Sequence, residues 1–362
     1  MSRPQLPRLH LRGTVLPDGE PRDLWVVDGV VRVGPVANAE TITRTGFILP
    51  GLVDAHCHVG LDANGAVPDE TSLAQAVTDR DAGALLLRDA GSPADTRWID
   101  DRPDLPRIIR AGRHLARPKR YLRNYGEEVE PEQLVSAVER QVAVGDGWVK
   151  LVGDWIDREV GDLAPLWPQD VATAAIDRAH ELGARVTAHV FGEQAAEELV
   201  AAGIDGIEHG TGLSAASIAS MAKRQVALVP TLVQLENFES FAAAGEARFP
   251  LYAKHMRALY ARRLEVFGDA VDAGVPIYAG TDAGGFLPHG LIGAEMAALT
   301  QFCSNEYALG AGSWRARRWL GRPDTVSDGA PADLVVFDSD PRIDLGVLRA
   351  PAAVILRGVR VG

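Results

Sequence analysis

Along most of the chain, short apolar runs ending at a polar or glycine position alternate with longer stretches whose apolar residues recur at helical spacing. Eight such runs stand out: GLVDAHCH, GALLLRDAG, RIIRAGR, WVKLVGD, RVTAHVFG, GIEHGTG, VALVPTL and PIYAGTDAGG. The stretches between them predict helices, among them Glu132 to Ala143, Pro168 to Leu182, Glu193 to Ala201, Ala215 to Arg224 and a long one from Leu251 to Ala273. Strand and helix alternating eight times predict an α/β fold, a parallel (β/α)8 TIM barrel whose catalytic groups gather at the carboxyl ends of the strands. The two chain ends read differently. Leu9 to Gly34 predicts a β meander with a hairpin at Asp28-Gly29, and ADLVVFDSD and PAAVILRGVRVG are two more β-rich runs. Both ends are therefore expected to pair in one small sheet outside the barrel.

Composition narrows the picture only in places. A chain of 362 residues accommodates one barrel of roughly 250 residues plus an accessory piece. With 46% hydrophobic and 24% charged residues, and no apolar run near the roughly 20 residues that span a bilayer, the protein is expected to be soluble and to need no membrane. The N-terminal MSRPQLPRLHLRG lacks an apolar segment and a cleavage site, so a cytoplasmic location is the default expectation. Cys57 and Cys303 are the two cysteines, too few for a disulfide framework. A net charge of -12 argues against nucleic acid as a partner, since phosphate binding relies on a basic footprint. One basic cluster runs against that balance: Arg113, Arg117, Lys119, Arg120 and Arg123.

The candidate chemistry sits at the predicted strand ends. A strand alternates its faces, so His56 and His58 point one way and Cys57 the other, and two imidazoles on one face can share a metal. By itself such a pair carries little weight. His189 in VTAHVFG, His209 in IEHGTG and Asp282 in YAGTDAGG end other runs, and Lys150 lies inside the apolar run WVKLVGD, where an ammonium is costly unless it is paired or modified. Six such side chains on strands one, four, five, six and eight would converge at one mouth of the barrel. His10, His180 and His255 read instead as a sheet residue, a helix-end cation and a helix-surface residue.

With these motifs in place, the sequence resembles the metal-dependent hydrolases of the amidohydrolase superfamily. The match is to the binuclear type with a bridging carboxylated lysine, and within it to the prolidase-like and imidazolonepropionase-like branch. The resemblance is carried by ILPGLVDAHCH, AGALLLRDAG, GWVKLVGD, RVTAHVFGEQAAEELVAAGIDGIEHGT, VALVPTL, AGTDAGGFLPHG and GAPADLVVFDSDP, and it spans almost the whole chain. It implies a catalytic barrel over residues 49–325 and a small β-sandwich domain built from residues 1–48 and 326–362. It implies that His56, His58 and Asp282 hold one divalent ion, that His189 and His209 hold a second, and that Lys150, carboxylated by CO2, bridges them. Zinc suits this ligand set.

The activity implied is hydrolysis of an amide-type C–N bond in a peptide-like, N-acyl amino acid or cyclic amide substrate. The nucleophile is a metal-bridging hydroxide, and Asp282 acts as general base and then acid. An aminohydrolase on the same fold is the alternative, although deaminases with a single metal lack the bridging lysine. A non-catalytic scaffold is a third reading, against which all six ligands are present. The chain departs from its relatives after strand three, where AGRHLARPKRYLRNYG replaces a glycine-rich turn. One reading makes His114, Arg120, Tyr121 and Tyr125 a pocket wall that recognises a substrate carboxylate and an aromatic face. The other makes this stretch a solvated loop or a subunit contact. Trp155 and His289 are further candidates for substrate contact, Arg88 and Gln234 are candidate supporting polar groups, and Glu208 is read as a structural carboxylate. The partner expected is a small-molecule substrate. A homo-oligomer is compatible with the resemblance.

Overall fold

The computed structural model of the protein describes residues 6–361. The leaderless reading of residues 1–5 and the outermost bounds of the terminal segments lie outside the described residues. No helix among those described is long and apolar enough to cross a membrane.

The chain ends build one mixed seven-stranded sheet. Its order is Val359–Arg360, Ala353–Leu356, Leu334–Phe337, Glu40–Pro50, Leu9–Val15, Glu20–Val27 and Val30–Arg32. The hairpin expected at Asp28-Gly29 is present, with φ of 49° and 79° at these two residues, the left-handed pair that matches the twist of its flanking strands. Alternation decides which face is buried: Leu9, Leu11 and Val15 point inward and pack with Leu24, Val26, Ile48, Leu334, Val336 and Ile355. Backbone bonds from Val31 to Ala330 and from Ala332 to Gly29 bring the Val30–Arg32 edge back against the segment that precedes Leu334. The strand Glu40–Pro50 then runs, through Gly51 alone, into the first parallel strand.

The middle of the chain forms parallel strands at seven of the eight expected places: Leu52–Cys57, Ala84–Asp89, Arg107–Arg110, Trp148–Val152, Arg185–Val190, Gly206–His209 and Ala227–Val229. All but Arg107–Arg110 and Arg185–Val190 are buried at every position, which is why they read as near-continuous apolar runs rather than as alternation. The first three form one sheet. The other four form a second, which Leu115–Ala116, just past the third strand, joins by pairing Leu115 with Leu151. The expected helices are present at Leu134–Val144, Gln169–Glu181, Glu193–Ala202, Ala215–Arg224 and Pro250–Asp272. Ser214 illustrates why one begins where it does: its side chain accepts a hydrogen bond from the Ser217 backbone N–H at 3.2 Å, and Gln225 ends the helix in the left-handed conformation.

The eighth expected strand is not a strand. PIYAGTDAGG lies between the first and seventh strands and makes only single bridges, Ile277 to Leu228 and Cys57 to Ala283. Pro276 lacks an N–H, and Asp282 sits at a φ of 58°, which no regular ladder accommodates. Individual bonds replace the ladder: Tyr278 N–H to Leu228 O at 3.0 Å, Ala55 N–H to Ala279 O at 2.8 Å and Asp282 N–H to His56 O at 2.7 Å. Gly280 is required there, because a Cβ would lie 2.6 Å from the His56 nitrogen.

The terminal sheet has its own apolar interior, so its weakening is separable from the strand ends that carry the chemistry. Leu11, fully buried there, is expected to cost about 2–5 kcal/mol on replacement by Ala in urea unfolding. Metal stoichiometry should be unchanged; a coupled loss of metal would show that the terminal sheet supports the site.

Candidate metal centre and substrate cavity

His56 and His58 emerge from Leu52–Cys57 on the same face, and Cys57 is buried behind them, its Sγ 3.9 Å from Arg88 O. Each imidazole has its Nδ1 committed. His56 Nδ1 donates to Glu208 Oε2 at 2.8 Å, and His58 Nδ1 donates to Gly91 O at 2.6 Å. A neutral ring with Nδ1 protonated presents a lone pair at Nε2. The two Nε2 atoms lie 3.2 Å apart, and Asp282 Oδ1 lies 3.1 Å from the first and 2.9 Å from the second. Three acceptor atoms converging at such distances repel one another unless a cation is shared. All ligand atoms of this group fall within 4.8 Å of one another.

His189 and His209 form a second pair, with His189 Nδ1 3.0 Å from His209 Nε2. The His209 ring is anchored through its Nδ1, 2.7 Å from Thr231 Oγ1, while His189 Nε2 is buried without a hydrogen-bond partner. The ring centroids of His56 and His209 are 5.4 Å apart, so the two groups adjoin. Lys150 is 1% exposed and, among the described residues, makes no hydrogen bond or ion pair. Burial pulls its ammonium down to about 8, against the opposing influence of Glu208 and Asp282.

Beneath these ligands lies a buried polar layer. Glu208 accepts hydrogen bonds from Arg88 at 2.5 Å and from Thr187, in addition to His56. Glu208 is thus tied to the strand interior as expected, and it also orients a candidate ligand. Burial opposes its charge, but Arg88 above all, then His56 and Lys150, hold the carboxyl well below the usual carboxylate range. Arg88 stacks over Trp148 and Trp319 and donates to Ala55 O at 2.7 Å. Asp54 accepts from Thr281 Oγ1 at 2.6 Å and from the N–H groups of Thr281 and His56, fixing the residue before Asp282. Its position two residues before His56 in VDAHCH, on the same face, was the available signal. Some backbone strain is held here: His209, Thr231 and Asp282 all have positive φ, at about 1–3 kcal/mol each.

Above the ligands opens a cavity of about 280 Å³. Of the substrate-contact candidates, Tyr121, Tyr125 and Trp155 line it, together with Gln234. His114 does not line it; its ring lies 5.2 Å from His58 and 5.3 Å from Tyr121, packed behind them. Arg120 is also outside the cavity. Its guanidinium is spent on Asp157 at 2.8 Å and on the carbonyls of Trp155 and Ala164, stapling the hairpin Asp154–Asp157 and Asp162–Pro165. His289 turns away as well, bonding Asp79 on the helix Asp69–Asp81 at 2.7 Å. Phe191, Phe241 and Phe286 join the lining from three separate loop or helix segments, and no pattern in the sequence marks them.

The amidohydrolase family model matches residues 162–361 of the chain. The uncharacterized protein Rv2915c of Mycobacterium tuberculosis (strain ATCC 25618 / H37Rv) is 59% identical over 357 residues, covering 98% of this chain and 96% of that protein. Among solved structures, a prolidase complexed with n-methylphosphonate-l-proline superposes with a TM-score of 0.81 at 23% identity, covering 98% and 99% of the two chains. A Xaa-Pro dipeptidase with bound methionine in its active site does so with a TM-score of 0.80 at 20% identity and the same coverage. At these identities the two structures establish a shared TIM-barrel-type fold.

Replacing Glu208 by Gln leaves the buried Arg88 charge unmatched and loosens His56. Stability is expected to fall by about 3–5 kcal/mol in urea unfolding. Zinc affinity, read by competition with a chromophoric chelator, should weaken about 10–100-fold; a variant unchanged in both would remove Glu208 from the site. The His289 and Asp79 pair yields a pH signature. Burial lowers the imidazole, but Asp79 outweighs it and raises the group above its ordinary value of 6.5. Its stabilising contribution is complete below about pH 6.5 and is lost as pH rises through the raised folded value. Urea midpoints should decline across that window in the parent protein and decline less in His289→Asn.

Proposed function

This chain belongs to the amidohydrolase family, and from that premise we propose that it is a metal-dependent hydrolase, prolidase-like in type, that cleaves an amide-type C–N bond in a small molecule. We take residues 49–325 as a closed (β/α)8 catalytic barrel and the flanking segments 1–48 and 326–362 as its sandwich domain, the whole working in the cytoplasm. The observation that carries the reading is the meeting of His56 Nε2, His58 Nε2 and Asp282 Oδ1 within 3.2 Å, with both Nδ1 protons committed elsewhere.

The donor set fits divalent ions. Imidazole nitrogen and carboxylate oxygen suit zinc, and His189 Nδ1 and His209 Nε2 converge to 3.0 Å as a second pair of nitrogen donors beside the first group. His56, His58 and Asp282 would hold one ion, and His189 and His209 the other, with the carbamate of Lys150 between them. Burial favours that modification, because a lysine drawn down to about 8 offers more of the neutral amine that takes up CO2. When bound, such ions polarise a carbonyl and lower the pKa of water toward about 7.

The chain's own groups do the remaining work. Asp282 retains 14% side-chain exposure at the floor of the cavity. Its Oδ accepts the proton of the attacking water and returns it to the departing nitrogen. Glu208 and Gly91 O hold the two Nδ1 protons, so His56 and His58 keep one tautomer through the cycle. The aromatic wall excludes bulk water, which strengthens each of these interactions.

After dialysis, the protein is expected to retain about two equivalents of zinc and to hydrolyse members of an amide panel until chelated. Lys150→Ala should hold about one equivalent. Asp282→Asn should lower kcat about 10²–10⁴-fold. Fewer than about one equivalent in the parent, with no activity restored by zinc, would overturn the reading; ammonia as the first product would instead favour an aminohydrolase.

A further inference from the structure

The cavity wall is aromatic: Tyr121, Trp155, Phe191, Phe241, Phe249 and Tyr252 face it. These rings reach the candidate ligands themselves, since Phe191, Trp155 and Tyr121 pack around His189 with centroid distances of 4.3, 5.5 and 5.6 Å. Polar groups in the wall are few and neutral apart from the ligands. Tyr125 spends its hydroxyl proton on Asp62 O at 2.9 Å, and Gln234 Oε1 accepts from Asn237 at 2.7 Å, leaving the Gln234 amide N–H groups for a substrate carbonyl.

Among the described residues, no lysine or arginine lines this cavity. The basic stretch after strand three is directed elsewhere. Arg120 staples a hairpin, Arg113 donates to Gly126 O, Arg117 approaches Glu130 at 3.9 Å, and Lys119 and Arg123 are exposed. Arg248 is exposed and stacks over the Phe249 ring at 5.0 Å. A carboxylate seated against this wall, away from the candidate ligands, would lose its hydration and find no side-chain cation in return, a cost that burial of an unpaired charge makes large. An uncharged aromatic group would meet edge and face contacts on several sides.

We infer that the group seated in this cavity is uncharged and aromatic or comparably bulky and apolar. The substrate class is then a neutral N-aryl or N-aralkyl amide, urea or carbamate, rather than an amide that ends in a free carboxylate. This rests on the hydrolase reading for its chemistry, while the cavity's preference is a statement about binding. Phe241, at the wall and 5.4 Å from Phe286, is the position where a cation would reverse it.

Two isosteric ligands separate shape from charge: para-nitroacetanilide, which is neutral, and para-acetamidobenzoate, whose carboxylate lies across the ring from the scissile bond. Calorimetry on the zinc-loaded protein is expected to show the neutral ligand at least tenfold tighter, equivalent to about 1.4 kcal/mol. Phe241→Arg should narrow or invert that ratio, and Arg248→Ala should leave it unchanged. Equal or tighter binding of the carboxylate by the parent protein would overturn the inference, and cleavage of either ligand would then leave the hydrolase reading standing. Failure of both ligands to bind below about 1 mM would also overturn it. Tight binding of the neutral ligand without release of nitroaniline would support the cavity's preference and count against the hydrolase reading alone.

Discussion

One buried carboxylate holds the candidate site together. Glu208 takes hydrogen bonds from Arg88, Thr187 and His56, and so connects the strands Ala84–Asp89, Arg185–Val190 and Leu52–Cys57 to its own strand, Gly206–His209. None of these groups has access to water worth counting, so each needs the others; remove the carboxylate and the Arg88 guanidinium loses its counter-charge, keeping only Ala55 O, while the His56 Nδ1–H is left without an acceptor. Because His56 is fixed in this way from below, its Nε2 is directed upward to meet His58 and Asp282. The geometry of the candidate metal ligands is therefore a product of a buried polar layer beneath them rather than of those residues alone.

A second constraint comes from the irregular segment that carries Asp282. A regular strand there would give a longer ladder but would exclude the positive φ at which Asp282 is held. The chain instead uses glycine at 280 for close approach to His56, a positive φ at Asp282 and the clamp of Asp54 on Thr281. Local backbone stability is given up for side-chain placement, a pattern repeated at His209 and Thr231. The aromatic wall above completes the arrangement by lowering the local dielectric, so the same groups that are costly to bury become effective once occupied.

Much of this was legible in the sequence. The parallel strands were visible because residues buried on both faces make unbroken apolar runs, and the candidate ligands were visible because each is a polar residue at the end of such a run. Lys150 stood out for the same reason, as a charge inside WVKLV. What could not be read were the pairings that decide which nearby residues face the cavity. Arg120 sits in a basic run with nothing to set it apart, and its partner Asp157 lies on a hairpin 37 residues further on. His289 follows the Asp282 segment closely, yet its partner Asp79 is 210 residues away. The aromatic wall is drawn from separate loops whose residues share no spacing, so its character emerges only in three dimensions. PIYAGTDAGG read as a strand because it is a short apolar run that ends at glycine and polar positions; its proline, its glycines and the conformation of Asp282 prevent a ladder from forming.

Anomalous diffraction from crystals of the zinc-loaded protein tests the central claim most directly, because it locates metal and lysine together. Two peaks are expected, one bounded by His56, His58 and Asp282 and the other by His189 and His209, with carbamate density extending from the Lys150 nitrogen toward both. Absence of metal from these residues, or a single peak beside an unmodified Lys150 ammonium, would contradict the binuclear account.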